Sequence, residues 1–265
     1  MRRSNTIILI HGNFVNHHAW AHWKAHYEAR GYTVYTPANP GHEGTPADLR
    51  QNVHPDLGAT GFVDIVERLE QFIDTLPEEP FVVGHSMAGL AVMKLVERGK
   101  AVAGVSLHGA PPKNVAPVPF QTLRTALPSI GLLSRKKTWL GPRSWYDYAF
   151  FNTLPEAQRQ AAYDRSIVPE SFKVGRQLLF HRLARVDFSK PHVPLLFVGG
   201  GSDHIFPTSL TKRIARQYKD PQSSVDVKIF EGRSHFTCGE PGWEHVADYI
   251  LDWYEGLPSA QDPTM

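Results

Sequence analysis

Short apolar runs alternate with stretches of helical periodicity along most of the chain. Ile7 to Ile10, Thr33 to Tyr35, Phe81 to Val83, Val102 to Leu107, Leu195 to Val198 and Val225 to Phe230 are brief and largely continuous, as expected of strands in a parallel sheet. Between the first pair, Ala19, Trp20, Trp23 and Tyr27 recur at helical spacing, and Gly31 supplies a stop. Ahead of the third run, Phe62, Ile65, Val66, Leu69, Phe72, Ile73 and Leu76 form an apolar stripe closed by Pro77. Such alternation predicts right-handed βαβ units and an α/β fold around a mostly parallel sheet of about six strands flanked by helices.

The alternation stops after His108-Gly109-Ala110-Pro111-Pro112 and resumes at Pro194. A stretch of about 80 residues is too long for a structureless loop in a compact domain, so it should carry helices of its own. Gln121 to Leu127, Glu156 to Arg165 and Phe172 to Ala184 have that pattern. The expected organisation is therefore a core of residues 1–110 and 192–258, a helical cap or lid over 111–191, and a frayed tail over 259–265.

Phe81-Val82-Val83-Gly84-His85-Ser86-Met87-Ala88-Gly89-Leu90 carries the chemistry, because it puts a serine where a buried strand meets a helix. The usual pattern is G-x-S-x-G. Here Ala88 holds the last position and the glycine is displaced to Gly89, so a small residue still stands at each tight point. A serine hydroxyl is a weak nucleophile and needs a histidine base oriented by a carboxylate. Asp203, in Gly199-Gly200-Gly201-Ser202-Asp203, follows one predicted strand, and His235, in Gly232-Arg233-Ser234-His235-Phe236, follows the next. Ligands in open parallel sheets bind beyond the carboxyl ends of the strands, where these three residues can converge. Ser86, Asp203 and His235 are the expected catalytic residues.

Acyl transfer also creates an oxyanion that wants two preorganised donors. The first strand ends in His11-Gly12-Asn13-Phe14, so the expected donors are the backbone N–H groups of Asn13 and Met87, with Phe14 as the alternative to Asn13. Phe14, Met87, Ile205 and Phe236 flank these positions and are expected to line an apolar pocket.

These motifs resemble the α/β-hydrolase superfamily along nearly the whole chain, and His11 to Trp20 looks like its esterase and hydroxynitrile-lyase branch. The resemblance implies that residues 111 to about 191 roof the pocket and that Ser86, Asp203 and His235 act as nucleophile, acid and base. The antiparallel strands that usually open that fold have no counterpart, because Ile7 to Ile10 already leads to the oxyanion loop. The implied reaction is hydrolysis of an ester, thioester or lactone of a small to medium hydrophobic substrate. Two alternatives stay open: a hydroxynitrile lyase or cofactor-free haloperoxidase, and a small-molecule receptor that retains the pocket. A lyase would need a cap cation near the serine, for which Lys136, Lys137 and Lys173 are candidates.

Composition narrows the rest. A net charge of +2, with no basic block beyond Arg135-Lys136-Lys137, gives no reason to expect nucleic acid. No run of apolar residues is long enough to span a membrane. The single cysteine, Cys238, excludes an internal disulfide, and with no signal-peptide pattern at the N-terminus the expected location is cytoplasmic. His18, His22 and His26 fall on one helical face with His17 beside them, but no acidic or cysteine ligand lies among them, so no metal or other cofactor is expected. His85 and His108 are read as structural or pocket-lining.

Overall fold

The computed structural model describes residues 3–258, so the expected tail over 259–265 lies outside the described residues. The chain runs β1 (Thr6–Ile10), α1 (Ala21–Glu28), β2 (Thr33–Tyr35), α2 (Pro46–Gln51), α3 (Phe62–Ile73), β3 (Phe81–His85), α4 (Met87–Glu97) and β4 (Ala103–Leu107). It continues through α5 (Phe120–Ile130), β5 (Thr138–Trp139), α6 (Arg143–Ala149), α7 (Glu156–Ser166), β6 (Glu170–Ser171) and α8 (Phe172–Phe180). The last elements are β7 (Leu195–Gly200), α9 (Thr208–Ala215), β8 (Val225–Phe230) and α10 (Trp243–Gly256).

Six strands form one parallel sheet in the order β2-β1-β3-β4-β7-β8. Successive side chains along a strand point to opposite faces, and the two cores divide accordingly. Ile8 and Ile10 of β1 pack with α3, α4 and α9, whereas Ile7 and Leu9 pack with Trp23 and Tyr27 of α1 and with α10. The four central strands are buried on both faces, so they read as continuous apolar runs. The edge strand β8 instead carries an exposed Asp226 and a half-buried Lys228 that lies over the Tyr249 ring, charges that discourage edge-to-edge pairing.

All six expected strands are present, with ends shifted by a residue or two. The stripe of α3 stops at Ile73 rather than Leu76. Phe172 to Ala184 is not one helix: α8 ends at Phe180, and His181 adopts an extended backbone while its ring accepts the N–H of Leu183. Helix α5 runs through Pro128 to Ile130, past the expected end at Leu127. The short antiparallel pair β5–β6 and helix α6 were not anticipated from periodicity, since two strand residues or two helical turns are too few to show a period.

The segment between β4 and β7 lies over the carboxyl end of the sheet, fastened by polar contacts. Thr122 Oγ1 donates to Ile205 O at 2.7 Å and Gln121 Nε2 to Asp203 O at 3.2 Å, which ties α5 to the loop after β7. Arg50 of α2 donates to Ile167 O at 2.6 Å and to Asp164 O at 3.0 Å, so a cation meets the carboxyl end of α7. The buried pair His42 and Glu170, 3.4 Å apart, joins the loop after β2 to β6.

Candidate active site

Ser86 follows β3 with φ 59° and ψ −121°, a backbone conformation that non-glycine residues rarely adopt. Three backbone hydrogen bonds of 2.9 Å hold it there: Ser86 N–H donates to Leu107 O, and Ser86 O accepts from Gly89 and Ala110. Two glycines make the turn possible. A Cβ on Gly84 would lie 2.3 Å from Ala88 O, and one on Gly12 would lie 2.6 Å from Ser86 Cβ. The departure from G-x-S-x-G has a simple reason. The tight point in α4 is Gly89, where a Cβ would come 2.5 Å from Gly109 Cα, while Ala88 packs in the core.

His235 and Asp203 converge on this serine from the loops after β8 and β7. His235 Nε2 is 2.9 Å from Ser86 Oγ, and His235 Nδ1 is 2.8 Å from Asp203 Oδ2. The carboxylate's other oxygen accepts the N–H groups of Ile205 at 2.7 Å and Phe206 at 2.9 Å. Burial by itself would raise the Asp203 carboxyl, but attraction to His235 and hydrogen bonds from His108 and His235 outweigh it and hold the group well below the usual carboxylate range. A carboxylate at Nδ1 fixes that nitrogen as the protonated one and leaves Nε2 to accept from the serine. Phe150 and Phe206 meet the His235 ring edge to face at 5.2 and 5.5 Å and close it off from solvent.

His108 was not anticipated as a partner of the acid. Its Nδ1 lies 2.7 Å from the same Asp203 Oδ2, so two imidazoles share one oxygen, and its own Nε2 is buried without a partner. His108 follows β4 as Ser86 follows β3, and that shared placement at the sheet's carboxyl end is the signal that could have found it. His85 Nε2 donates at 2.7 Å to the carbonyl of His235, and burial beside His235 and His108 holds its own imidazole neutral. Neither His85 nor His108 lines the cavity.

The backbone N–H groups of Asn13, Phe14 and Met87 have no hydrogen-bond partner among the described residues, and all three residues border one cavity with Ser86. Met87 opens α4, where helix geometry leaves the N–H free and the dipole favours negative charge. Phe14 has φ 68°, part of the sharp turn that follows Gly12. That turn is pinned by His11, whose Nε2 accepts from Asn39 N–H at 3.0 Å while Nδ1 meets Gly12 O at 3.0 Å. A second proton on Nε2 would face an N–H donor. Burial and the neighbouring His42 lower the His11 pKa to about 3.

This makes stability fall in mild acid. The unfolded chain protonates His11 below about 6.5, whereas the fold resists until about 3, so each unit of pH in that window favours the unfolded chain. The loss from this one group is on the order of 4 kcal/mol across the window. Urea midpoints at stepped pH should show it, and His11→Gln, which keeps an acceptor for Asn39, should flatten the slope. An unchanged slope in that variant would remove His11 as the cause.

The cavity encloses about 890 Å³ of atom-free space, its mouth included. Ser86, Asn13, Phe14, Met87 and Ile205 border it as expected, with Trp145, Phe150, Phe206, Leu178 and one side of α5 as further walls. Phe236 does not. It is buried behind the site, packing edge to face on Phe151 at 4.9 Å. Sequence adjacency to His235 misled because the chain turns at these residues, with Gly239 N–H donating to Phe236 O, and carries the Phe236 ring away from the cavity.

The remaining candidates sit elsewhere. Lys173 Nζ is 2.9 Å from Asp64 Oδ2, Lys137 packs against Gly58, Lys136 is exposed, and no charged side chain among the described residues borders the cavity. The helical-face histidines do not converge: His18 stands in a 3-10 turn before α1, His22 stacks on Trp243, and His26 Nε2 is 2.7 Å from Asp248 Oδ1. Among the described residues, the ligand-type group brought within 4.8 Å is His108, Asp203 and His235, whose Nδ1 and carboxylate atoms hydrogen-bond one another. Cys238 is buried, its thiol pushed up by burial, and its carbonyl accepts from Trp23 Nε1.

Solved structures share this fold at low identity. Tomato methylketone synthase I is 17% identical with a TM-score of 0.70, the match covering 96% of this chain and 98% of that one. The monoacylglycerol lipase of Paleococcus ferrophilus is 22% identical with a TM-score of 0.68, covering 94% and 93%. A pyrethroid hydrolase of Sphingobium faniae is 19% identical with a TM-score of 0.69, covering 95% and 97%. No curated protein gives a significant match. The Alpha/beta hydrolase family model matches residues 7–245, from β1 into the first turn of α10. With the match running over most of the chain, the protein belongs to the α/β-hydrolase family.

Proposed function

We propose that the protein hydrolyses an ester, thioester or lactone of a small to medium apolar substrate through an acyl-serine formed at Ser86. The observation that carries the reading is the chain of contacts from Ser86 Oγ through His235 to Asp203, buried at the floor of a cavity with apolar walls. His235 Nε2 takes the hydroxyl proton as Ser86 Oγ attacks the carbonyl carbon, and Asp203 stabilises the imidazolium. The oxyanion is received by Met87 N–H and by that of Asn13 or Phe14. His235 returns the proton to the leaving group, and water repeats the sequence to release the acid. Methylketone synthase I, similar in fold, is complexed with 2-tridecanone, and the other two neighbours are a monoacylglycerol lipase and a pyrethroid hydrolase, which agrees with a pocket for an apolar substrate. The lack of a charged wall gives no cation for a lyase's cyanide.

Residues 111–191 act in this reading as a substrate-selecting cap on a core of 1–110 and 192–258. Trp145 is its clearest selector, since its ring borders the cavity, meets Phe14 at 5.3 Å and is held by a 3.0 Å bond from Nε1 to Thr125 O. Trp145→Ala should change kcat/KM for esters of medium chain length by about ten-fold or more relative to a p-nitrophenyl acetate. Trp139→Ala and Phe151→Ala, neither bordering the cavity, should change that ratio less. Equal losses across all chain lengths would argue against selection. The function itself is tested by fluorophosphonate labelling and a panel of acyl esters, thioesters, lactones and cyanohydrins. Cleavage of cyanohydrins alone would overturn the hydrolase reading.

A further inference from the structure

Helix α5 has two apolar faces. One holds the cavity, anchored by Thr122 and by Thr125 Oγ1, which donates to His204 O at 3.0 Å. The other, with the turn that follows the helix, is open to solvent: Phe120 is 79% exposed, and Leu132 and Leu133 just past the helix end are 49% and 100% exposed. Leu123 and Leu127, 40% and 46% exposed, border both the cavity and the outer crevice that Phe120, Leu132 and Leu133 form. Leu123 and Leu127 are therefore a shared apolar wall between the surface crevice and the cavity that holds Ser86. An exposed patch this concentrated needs an occupant.

Charge says which. Residues 111–146 contain Lys113, Arg124, Arg135, Lys136, Lys137 and Arg143 and no Asp or Glu. Arg124, Arg135, Lys136 and Lys137 are exposed and form no ion pair among the described residues. Protein interfaces are rich in aromatic anchors and poor in lysine, whereas leucines beside unpaired lysines and arginines suit the headgroup boundary of an anionic bilayer.

We infer that the segment from Phe120 to Lys137 docks on an anionic lipid surface, with Leu132 and Leu133 entering the acyl boundary and Arg135, Lys136 and Lys137 meeting the headgroups. Docking brings Leu123 and Leu127, which border the cavity, against the bilayer, so that an ester with an apolar chain passes between them from lipid to Ser86 without crossing water. The docking stands apart from the proposed chemistry; only the delivery of substrate rests on it.

The test is co-sedimentation of the whole protein with vesicles of phosphatidylcholine alone and with about 30 mol% phosphatidylglycerol. Wild type should bind the anionic vesicles at least about ten-fold more tightly than the neutral ones, and less at high salt. Replacing Arg135, Lys136 and Lys137 by glutamine should weaken that binding by about a hundred-fold, and Leu132→Asp with Leu133→Asp by about ten-fold or more. Both variants should keep wild-type turnover of a dissolved short ester, which also reports an intact fold. Ser86→Ala should bind vesicles as wild type does, so a failed chemistry and a failed docking give different results. Wild type that stays in the supernatant, or variants that sediment as wild type does, would overturn the inference. So would a concentration-dependent dimer that the leucine substitutions dissolve, since the patch would then be a contact between copies.

Discussion

Ser86→Ala is expected to abolish covalent capture by a fluorophosphonate and to lower ester turnover about 10⁴- to 10⁶-fold, with the fold intact. The size follows from what the hydroxyl does: with no Oγ there is no acyl-enzyme, and only binding and the oxyanion donors remain to assist water. Folding should survive because the strained turn is held by backbone bonds to Leu107, Gly89 and Ala110 rather than by the side chain. Loss of the strain-tolerant serine's hydroxyl leaves φ and ψ unchanged. Adding His235→Ala to Ser86→Ala should cost little more, since the two act as a unit. Capture at the wild-type rate by the single variant would move the nucleophile to another residue.

Asp203→Asn is expected to lower turnover about 10³- to 10⁴-fold for a different reason. Ile205 and Phe206 present two N–H donors to one side of residue 203, so the asparagine carbonyl settles there and its NH₂ faces His235 and His108. Two donors cannot share a bond with a third. His235 Nδ1 must then become the acceptor, and Nε2 carries the proton toward Ser86, where a base is needed. Turnover within about ten-fold of wild type would exclude Asp203 as the acid. His108 adds a graded test on the same oxygen. His108→Leu removes one of the donors to Oδ2, leaving a more basic carboxylate that favours the His235 imidazolium, so the acid limb of kcat/KM should move to higher pH. A limb that stays in place would reduce His108 to packing.

Strands and helices were legible because each leaves a local trace. Buried strands in a parallel sheet are continuous apolar runs, and α3 repeats its apolar residues every third or fourth position. The Ser86, His235 and Asp203 cluster was legible for a topological reason: parallel strands deliver their carboxyl ends to one edge, so residues after β3, β7 and β8 meet regardless of their separation in sequence. The close approaches at Gly12 and Gly84 also appear in the sequence, as glycines where any side chain would collide.

Where loop side chains point is another matter, because their directions are set by partners far along the chain. His108 turns to Asp203 and not to the cavity because the carboxylate has an oxygen to share. Phe236 turns away from the cavity because Phe151, from α6's trailing loop, offers it an edge-to-face contact. The walls of the cavity come from α5, α6 and α8, whose inward faces are decided by bonds such as Thr122 to Ile205, invisible to any local period. The sequence by itself therefore determined the sheet, its order of chemistry and the residues at its edge. Only the tertiary structure decided which of their neighbours face the reacting atoms, because hydrogen bonds and ring contacts between distant segments outweigh the weak directional preference of a loop residue.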